Sequence, residues 1–349
     1  MEMDERGLMR SAMELAIRRH PHPNPRVGAI VLDSAGAIVG TGAHAMAGSP
    51  HAEALALAQA GGRARGGTLV VTLEPCAHQG RTPACTAAVI EAGVARVIVG
   101  AGDPDTQVAG RGIAALQAAG VEVRVGVAGV DAEDLDPGYF HHRRTGRPRL
   151  TLKMAASLDG QAAAADGSSQ WITSPEARRD AHELRSTADA VLVGAGTVLA
   201  DDPELSVRLD GHDGPQPRPV VLVGSRPLPP TARVFSRNPL VYSSRPLDLP
   251  GEVTVLPGAD GVDLESVVED LGKRNIVDLL VEGGPVIAGA FTRAGLVDRF
   301  VAYFAGAVAG GAGVPMMGGR FATVGDLARV AITSVARIGP DVRIDAEVR

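Results

Sequence analysis

Short apolar runs alternate with amphipathic segments through the whole of this 349-residue sequence. In the first half, the spacing predicts strands at 27–32, 37–39, 68–73, 95–99 and 121–125 and helices at 8–20, 51–60, 83–92 and 112–119. In the second half, it predicts strands at 150–154, 190–193, 220–223, 240–242 and 278–281, helices at 175–186, 263–273 and 286–294, and a hairpin-like tail from residue 298. This alternation predicts an α/β fold in which helices cover the sheets.

The two alternations are separated by a polar, basic segment at 141–148 that contains Gly146 and Pro148. Glycine and proline interrupt regular structure, so this composition predicts a linker. A length prior of about 150 residues per domain also favours two domains. We therefore expect one domain over residues 1–147 and a second over residues 148–349.

Composition excludes several classes of partner. The formal net charge is −6 and aromatic residues make up only 3% of the chain, so neither phosphate backbones nor stacked bases would find a matching surface. The longest nearly apolar stretch, 190–200, is too short to span a bilayer, and the acidic N-terminal residues lack the pattern of a signal peptide. We expect a cytoplasmic protein that binds neither nucleic acid nor membrane.

The most specific local pattern is formed by His51, Glu53, Cys76 and Cys85. One imidazole and two thiolates supply three ligands to Zn²⁺ and leave a fourth position for water, as in catalytic zinc sites. The metal would lower the pKa of that water, and Glu53, a carboxylate outside the ligand set, would transfer protons. A His-x-Glu pair followed later by Pro-Cys is typical of hydrolytic base deaminases.

The interpretation as a zinc site requires that His51 lie at the start of its helix. His51 and Glu53 lie about 200° apart around a regular helix, so both approach one metal only if His51 is at the N-terminal end. Pro50 supports that position. Cys85 follows Pro83 at another helix start, where the helix dipole favours a thiolate. Both cysteines of the chain fall in this pattern, which favours metal ligation over two unrelated buried thiols.

Several segments of the first half form a wider pattern around these residues. They read HPNPRVG at 22–28, GAH at 42–44, GSPHAE at 48–53, EPCAHQGRTPAC at 74–85, DPD at 103–105 and VAGRG at 108–112. Together they resemble the deaminase of riboflavin biosynthesis. The resemblance implies a three-layer, cytidine-deaminase-like domain and a diaminopyrimidinone substrate that carries ribosylamino 5-phosphate. It also implies that Asn24, His44 and His78 line the base pocket and that Arg81 meets the phosphate, roles that amide and guanidinium groups can perform.

The second half carries a different set of segments. They read TLKMAASLDG at 151–160, SSQWIT at 168–173, DAVLVGAGTVLADDP at 189–203 and LVEGGPVIAG at 280–289. The Gly194-Ala-Gly196 segment lacks the third glycine of a dinucleotide fingerprint and alone is weak evidence for a nucleotide. The turn at 282–285 enters a helix, where free N–H groups could hold a pyrophosphate or could simply close a tight turn.

Together these segments resemble the reductase of riboflavin biosynthesis, whose fold is like that of dihydrofolate reductase. The resemblance implies that NADPH reduces the ribosyl group to ribityl. The implied NADPH contacts are Ala155, Trp171, Thr197, Asp201, Ser225, Gly284, Pro285, Val286, Ile287, Ala288, Gly289 and Ala290. The implied substrate contacts are Ser169, Arg185, Leu205, Arg208 and Glu282.

Hydride transfer depends more on positioning than on a reactive side chain. Lys153, one of only two lysines in the chain, or Asp159 could assist by protonating the ring-opened ribosylamine. A strand-end lysine can equally serve solvation alone, so no general acid is assigned.

The sequence thus predicts a bifunctional riboflavin biosynthesis enzyme with Zn²⁺ and NADPH as cofactors and a small-molecule substrate. The resemblance also implies a homodimer. Three alternatives stay open: a nucleoside, free-base or tRNA deaminase with an unrelated partner domain; a ligand-sensing or scaffold protein built on an inactive deaminase; and a deaminase whose second half is structural only. Nicotinamide binding distinguishes the last of these.

Overall fold

The computed structural model describes residues 4–78, 83–259, 261–319 and 322–348. The chain forms two compact units, Met1–Gly146 and Arg147–Arg349. None of the described helices is both long enough and apolar enough to cross a membrane.

The first unit is built on a five-stranded sheet. Its elements are α1 (Glu5–Ala16), β1 (Gly28–Leu32), β2 (Ile38–Ala43), α2 (Ala52–Ala60), a 3₁₀ turn (Gly61–Ala64), β3 (Thr68–Leu73), α3 (Cys85–Glu91), β4 (Arg96–Ala101), α4 (Arg111–Ala118), β5 (Glu122–Val125), α5 (Gly129–Asp134) and α6 (Pro137–Thr145). The strand order is β2-β1-β3-β4-β5. Strand β1 runs antiparallel to β2 and β3, whereas β3, β4 and β5 are parallel.

Two glycines show that helices cover both faces of this sheet. A Cβ atom on Gly28 would lie 1.8 Å from the carbonyl oxygen of Ala12 in α1, and one on Gly42 would lie 2.2 Å from that of Ala52 in α2. Gly42 pairs with Ala29, the neighbour of Gly28. Because adjacent strand residues face opposite sides, α1 and α2 pack on opposite faces and the unit has three layers.

The segment expected to be a linker is largely helical, so that prediction is wrong for residues 141–145. Helix α6 starts at Asp136, whose side chain accepts a hydrogen bond from the Tyr139 N–H, with Pro137 in the first turn. Tyr139 and Phe140 are buried and attach the helix to the unit. It ends at Gly146, which adopts the left-handed conformation. The basic residues that suggested a linker occupy its last turn, where they complement the helix dipole.

The second unit contains a nine-stranded sheet. Its elements are β6 (Arg149–Ser157), β7 (Gln161–Ala163), α7 (Pro175–Ser186), β8 (Ala190–Gly194), α8 (Ala195–Asp201), β9 (Arg218–Val223), a 3₁₀ turn (Arg233–Arg237), β10 (Leu240–Ser243), β11 (Glu252–Val255), β12 (Pro257–Gly258), β13 (Gly261–Val262), α9 (Leu264–Lys273), β14 (Asp278–Val281), α10 (Pro285–Arg293), β15 (Arg299–Ala305), β16 (Val314–Pro315), a 3₁₀ turn (Val324–Asp326), β17 (Val330–Ile338) and β18 (Asp341–Val348).

The strand order of the large sheet is β11-β10-β9-β8-β14-β6-β15-β18-β17. Its first seven strands are parallel, and β18 and β17 add an antiparallel edge that confirms the expected terminal hairpin. Alternating residues of β8 enter two different cores, with Leu192 packing on the side of α9 and α10 and Val191 on the other side. The carboxyl ends of β6, β8 and β14 therefore lie side by side, where ligands of such sheets bind.

Most of the expected elements are present. Strand β3 and helix α7 have the expected bounds, and the other predicted strands and helices agree within a few residues. Sequence periodicity did not predict α5, α8, β7, β11, β12, β13 or β16, which are short or lack an apolar repeat.

Candidate active sites

The three expected metal ligands lie together in the first unit. The Nδ1 atom of His51 is 3.2 Å from the Sγ atom of Cys85 and 3.7 Å from the Sγ atom of Cys76. All three ligand atoms lie within 4.8 Å of one another. One imidazole nitrogen and two sulfurs at this separation form a donor set that suits Zn²⁺ and provides three of the four ligands of a catalytic site.

Local structure explains how ligands from three segments meet. His51 is the N-cap of α2 and has an extended backbone, as the sequence argument requires. Cys76 follows β3, and Cys85 is the first residue of α3. The Cys85 N–H points at the Cys76 sulfur at 3.5 Å. This N–H at the start of α3 favours a thiolate at Cys76, whereas the hydrogen bond to Cys76 and burial raise the pKa of the Cys85 thiol.

Electrostatics within the cluster favour ligation. The hydrogen bond from Cys85, followed by those from His51 and the backbone, lowers the pKa of the Cys76 thiol to about 4 although burial opposes the change. The hydrogen bond to Cys76 raises the pKa of His51. Cys76 and His51 share a proton, and binding of a metal ion would release that proton.

Glu53 is the buried acid of this site. It lies in the first turn of α2 and is only 4% exposed. Burial raises the pKa of its carboxyl group, and the nearby charge of Cys76 adds to this effect, while His51 and the Cys85 thiol oppose it. A carboxyl group whose pKa is raised toward neutrality can both accept and donate a proton.

A cavity of about 320 Å³ opens onto the cluster. Among the expected base-contacting residues, Asn24, His44 and His78 all line it together with His51 and Glu53. The expected phosphate contact, Arg81, lies outside the described residues.

Asn24 and His44 form a fixed hydrogen-bonding edge of the cavity. The Nδ1 atom of His44 lies 3.2 Å from the Pro50 carbonyl oxygen, and its Nε2 atom lies 3.1 Å from the Asn24 Nδ2 atom. Burial lowers the pKa of His44. The Pro50 carbonyl can only accept and the Asn24 amide nitrogen can only donate, so the His44 Nδ1 atom is the donor and its Nε2 atom the acceptor. The Asn24 amide oxygen is then available as an acceptor toward the cavity.

Sequence reasoning did not assign four further side chains that line the cavity: Asp103, Asp105, Tyr139 and Arg143. Asp103 and Asp105 belong to a segment that carried the family resemblance, which was an available signal. Tyr139 and Arg143 lie in α6. Arg143 falls within the segment expected to be a linker, and Tyr139 precedes it in a stretch for which no element was predicted. Burial raises the pKa of Asp103 to about 6, partly against the hydrogen bonds that it accepts from the Asp105 N–H and the Tyr139 hydroxyl.

Glu74 holds the loop that carries these aspartates. Its carboxylate accepts hydrogen bonds from the N–H groups of Gly110, Gly112 and Ile113 at 2.9–3.2 Å, and a longer one from Asp103 at 3.4 Å. Glu74 is buried and stands two residues before Cys76. The metal cluster and the aspartate loop therefore share one anchor.

In the second unit, the structure brings together two expected substrate residues. Arg185 of α7 donates two hydrogen bonds to Glu282, at 2.8 and 2.9 Å, and a third to the Ser206 carbonyl oxygen. Both charged side chains are 12% exposed. Burial would raise the pKa of Glu282, but the charge and hydrogen bonds of Arg185 together with the charge of Lys153 outweigh it and lower the pKa.

Lys153 lies beside this ion pair at the site end of β6. Burial lowers the pKa of its ammonium group, and the charge of Glu282 partly compensates. Its Nζ atom lies 5.8 Å from the centre of the Tyr303 ring. Asp159 has a different environment, because it accepts hydrogen bonds from Ser157 and from the backbone N–H groups of residues 309–311. This arrangement gives Asp159 a part in holding that loop.

The expected NADPH contacts at two helix starts lie close together. A Cβ atom on Gly284 would lie 3.9 Å from the Thr197 hydroxyl, and one on Gly194 would lie 2.7 Å from Ile287. Gly284 is the N-cap of the nine-residue helix α10, with Pro285 in its first turn. The start of α10 and the start of α8 thus face one another, and the free N–H groups at the start of α10 suit a phosphate group.

The other expected contacts lie around this region. Trp171 is 66% exposed with the Arg178 guanidinium 4.5 Å from its ring centre, and Asp201 accepts a hydrogen bond from Gln170. Leu205 is buried with a positive φ of 57°. The remaining ones are Ser169, Ser225, Arg208 and Val286, which are exposed, Ala155, Pro285, Ile287 and Ala290, which are half-buried, and Ala288 and Gly289, which are buried.

Comparisons with known proteins agree with this division of sites. A family model described as the cytidine and deoxycytidylate deaminase zinc-binding region matches residues 1–101, and one described as the RibD C-terminal domain matches residues 148–344. The chain is 41% identical to the riboflavin biosynthesis protein RibD of Mycobacterium tuberculosis H37Rv, covering 100% of both chains. It is 40% identical to that of Escherichia coli K12, covering 97% of this chain and 98% of the relative.

Solved structures give the same result. RibD of Acinetobacter baumannii matches with a TM-score of 0.92 and 35% identity over 99% of both chains. A diaminohydroxyphosphoribosylaminopyrimidine deaminase/5-amino-6-(5-phosphoribosylamino)uracil reductase of Thermotoga maritima matches with a TM-score of 0.89 and 32% identity, again over 99% of both. The expected fold class and the two cofactors are thereby confirmed. The chain belongs to the RibD family, and it is a bifunctional riboflavin biosynthesis enzyme that joins a zinc-dependent deaminase to an NADPH-dependent reductase.

Proposed function

We propose that His51, Cys76 and Cys85 hold the zinc ion and that Glu53 moves the protons in hydrolytic deamination of a diaminopyrimidinone ribosylamino 5-phosphate. The observation that carries this proposal is the His51–Cys76–Cys85 cluster, with buried Glu53 beside it in one cavity. A zinc ion held there supplies the Lewis acidity that makes a water molecule nucleophilic near neutral pH.

The other residues of the cavity bind and orient the base. Glu53 takes a proton from the attacking water and passes it to the ring nitrogen. It then moves the remaining proton of the added hydroxyl to the amine, which leaves as ammonia while the carbonyl forms, and its raised pKa supports this double role. The Asn24 amide, held in place by the His44 ring, offers its oxygen as an acceptor to the pyrimidine. His78 completes the base pocket, and Arg81 contacts the phosphate.

For the reductase, we propose that Arg185 and Glu282 orient the sugar phosphate together with Ser169, Leu205 and Arg208. NADPH would lie along the starts of α8 and α10, where Thr197 and Gly284 approach each other, and would also contact Ala155, Trp171, Asp201 and Ser225. NADPH supplies the hydride. Lys153 is the best-placed proton donor, because it is half-buried within reach of the Glu282 charge and its pKa is lowered.

One assay tests both halves. Purified enzyme is given the diaminopyrimidinone substrate while ammonia release and NADPH oxidation are followed together. We expect Glu53→Gln to slow ammonia release by about 10²–10⁴-fold while zinc content and NADPH oxidation with the deaminated intermediate stay at wild-type values. Absence of ammonia from zinc-loaded wild type contradicts the deaminase assignment, and ammonia without NADPH oxidation contradicts the reductase assignment.

Three further assignments accompany this function. We place the boundary between the activities at residues 147–148, supported by the break between compact units after Gly146 and by the family match that starts at 148. We place the enzyme in the cytoplasm, because both ligand thiols must stay reduced. Cell fractionation tests this location.

We also propose that the enzyme is a homodimer. The edge strand β17 exposes Ile332 and Val335, each 63% accessible, and an exposed apolar edge strand offers unpaired backbone groups with which another chain can pair. Light scattering of wild type and of Ile332→Lys tests the assignment. Identical monomer masses for both proteins contradict it.

A further inference from the structure

Helix α6 contributes a wall of the deaminase cavity. Tyr139 and Arg143 lie one helical turn apart, so they share a face, and both line the cavity. The Tyr139 hydroxyl donates to the Asp103 carboxylate at 3.0 Å. The Arg143 guanidinium stacks on the Tyr139 ring, with its central carbon 4.9 Å from the ring centre. Helix α6, the last helix of the first unit, thus contributes side chains to the deaminase cavity.

Arg143 joins three segments of that wall. Its Nε atom lies 3.2 Å from the Asp105 carboxylate, and its terminal nitrogen donates to the Pro23 carbonyl oxygen at 2.9 Å. Pro23 precedes Asn24, which forms the base-binding edge, and Asp105 follows the Asp103 that Tyr139 contacts. The position of the Asn24 segment relative to the aspartate loop therefore depends on Arg143.

The charges that line the cavity connect the Arg143–Asp105 contact with the charge of the substrate that can bind. The lining includes the carboxyl groups of Asp103 and Asp105 in addition to Glu53 and Glu74, and Arg143 is the single arginine or lysine among its described members. Glu74 is satisfied by backbone N–H groups, and burial favours the neutral form of Asp103. Asp105 is the carboxylate left to be neutralised by a cation if the substrate is an anion.

We propose that Arg143 is a positioning and specificity residue of the deaminase: it offsets the charge of Asp105, so that the cavity accepts a substrate bearing a phosphate, and it fixes the Asn24 segment. This inference rests on the proposed function of the first unit. It assigns Arg143 no part in the bond changes, so its loss should affect substrate binding far more than turnover.

The first test compares neighbouring arginines of one helix. Arg143→Met should raise the deaminase KM about tenfold and change kcat less than threefold. Arg144→Met is the matched control, because Arg144 also pairs with an acid (Glu133) and also lies over a ring (Phe140) but does not line the cavity. The control should keep the wild-type KM. Equal KM values for the two variants overturn the proposal.

The second test separates charge offset from direct phosphate contact and from folding. Adding Asp105→Asn to Arg143→Met should restore most of the lost KM, and raising the salt concentration should narrow the gap between Arg143→Met and wild type. No recovery in the double variant overturns the proposal, because Arg143 would then contact the phosphate itself. If Arg143→Met loses zinc, Arg143→Lys replaces it: this variant should keep a KM near wild type, and a tenfold rise despite the retained charge overturns the proposal.

Wild-type ammonia release separates these results from the proposed function. If zinc-loaded wild type releases no ammonia, the proposed function fails. If wild type is active and the variants match it, only the role of Arg143 fails. NADPH oxidation with the deaminated intermediate reports on the second unit and should be unchanged in every variant.

Discussion

The two active sites of this enzyme are assembled in different ways. In the deaminase, the proposed metal ligands come from one stretch of chain between His51 and Cys85, and each lies at or shortly after the end of a helix or strand. In the reductase, the paired residues Arg185 and Glu282 lie 97 positions apart and meet because β14 inserts between β8 and β6. The first site is a property of local sequence, and the second is a property of the folded sheet.

The two sites also differ in which groups their activity depends on. The deaminase depends on a metal and one buried acid, so a single substitution should abolish its reaction without unfolding the second unit. The reductase depends on a preorganised surface held by a buried ion pair, so breaking that pair should reduce activity and stability together.

Removal of one metal ligand should give the largest effect and the sharpest contrast between the units. We expect Cys76→Ala to lose zinc and to reduce ammonia release by more than about a thousandfold, since the Lewis acid is gone. NADPH oxidation with the deaminated intermediate should stay within twofold of wild type. Zinc analysis and the two assays measure this, and retention of one zinc per chain with full ammonia release would exclude Cys76 as a ligand.

Loss of Arg185 should have an intermediate effect. Arg185→Met leaves Glu282 without its partner in a buried site, which typically costs about 3–5 kcal/mol. Urea unfolding followed by Trp171 fluorescence measures the free energy of unfolding of the second unit.

Arg179→Met is the matched control for Arg185→Met. Arg179 lies on the same helix and pairs with Glu183, but its side chain is 65% exposed. Such a surface pair contributes about 0.5 kcal/mol. Similar losses for the two variants would contradict a structural role for the Arg185–Glu282 pair.

The pH dependence of the free energy of unfolding that Asp103 causes should be the smallest effect. Burial raises the pKa of Asp103 to about 6, so the folded protein binds this proton more tightly than the unfolded chain. The stability from Asp103 is therefore present at low pH and is lost as the pH rises through 6. Between pH 5 and 7.5, wild type should lose about 1 kcal/mol relative to Asp103→Asn, whose amide does not titrate.

Glu282 in the second unit should respond in the opposite direction. Its pKa is lowered in the folded state, so its contribution is present above the ordinary pKa of a glutamate and is lost as the pH falls through the lowered value. Parallel unfolding series in urea for wild type, Asp103→Asn and Glu282→Gln compare the two slopes. Slopes of the same sign would contradict the assigned environments.

Sequence alone predicted the elements that carry strong periodicity and the site that depends on spacing. His51, Cys76 and Cys85 could be found because helix and strand ends fix their positions within a short stretch. The Arg185–Glu282 pair could be named by resemblance, but its partnership follows from sheet order, which no local pattern encodes. Helix α6 was missed because its polar last turn outweighed the signals of Asp136 and Pro137 at its start and of the buried Tyr139 and Phe140.

Glu74 has a consequence for how this enzyme can diversify. Glu74 fixes the two ends of a loop through hydrogen bonds from backbone N–H groups alone. The donors are Asp103, Gly110, Gly112 and Ile113. The exposed residues between those ends, Thr106 and Gln107, can therefore be exchanged while Asp105, buried Val108 and the neighbouring Cys76 keep their places. Sequence variation at this rim is compatible with an intact metal cluster, provided that the glutamate and the two glycines remain.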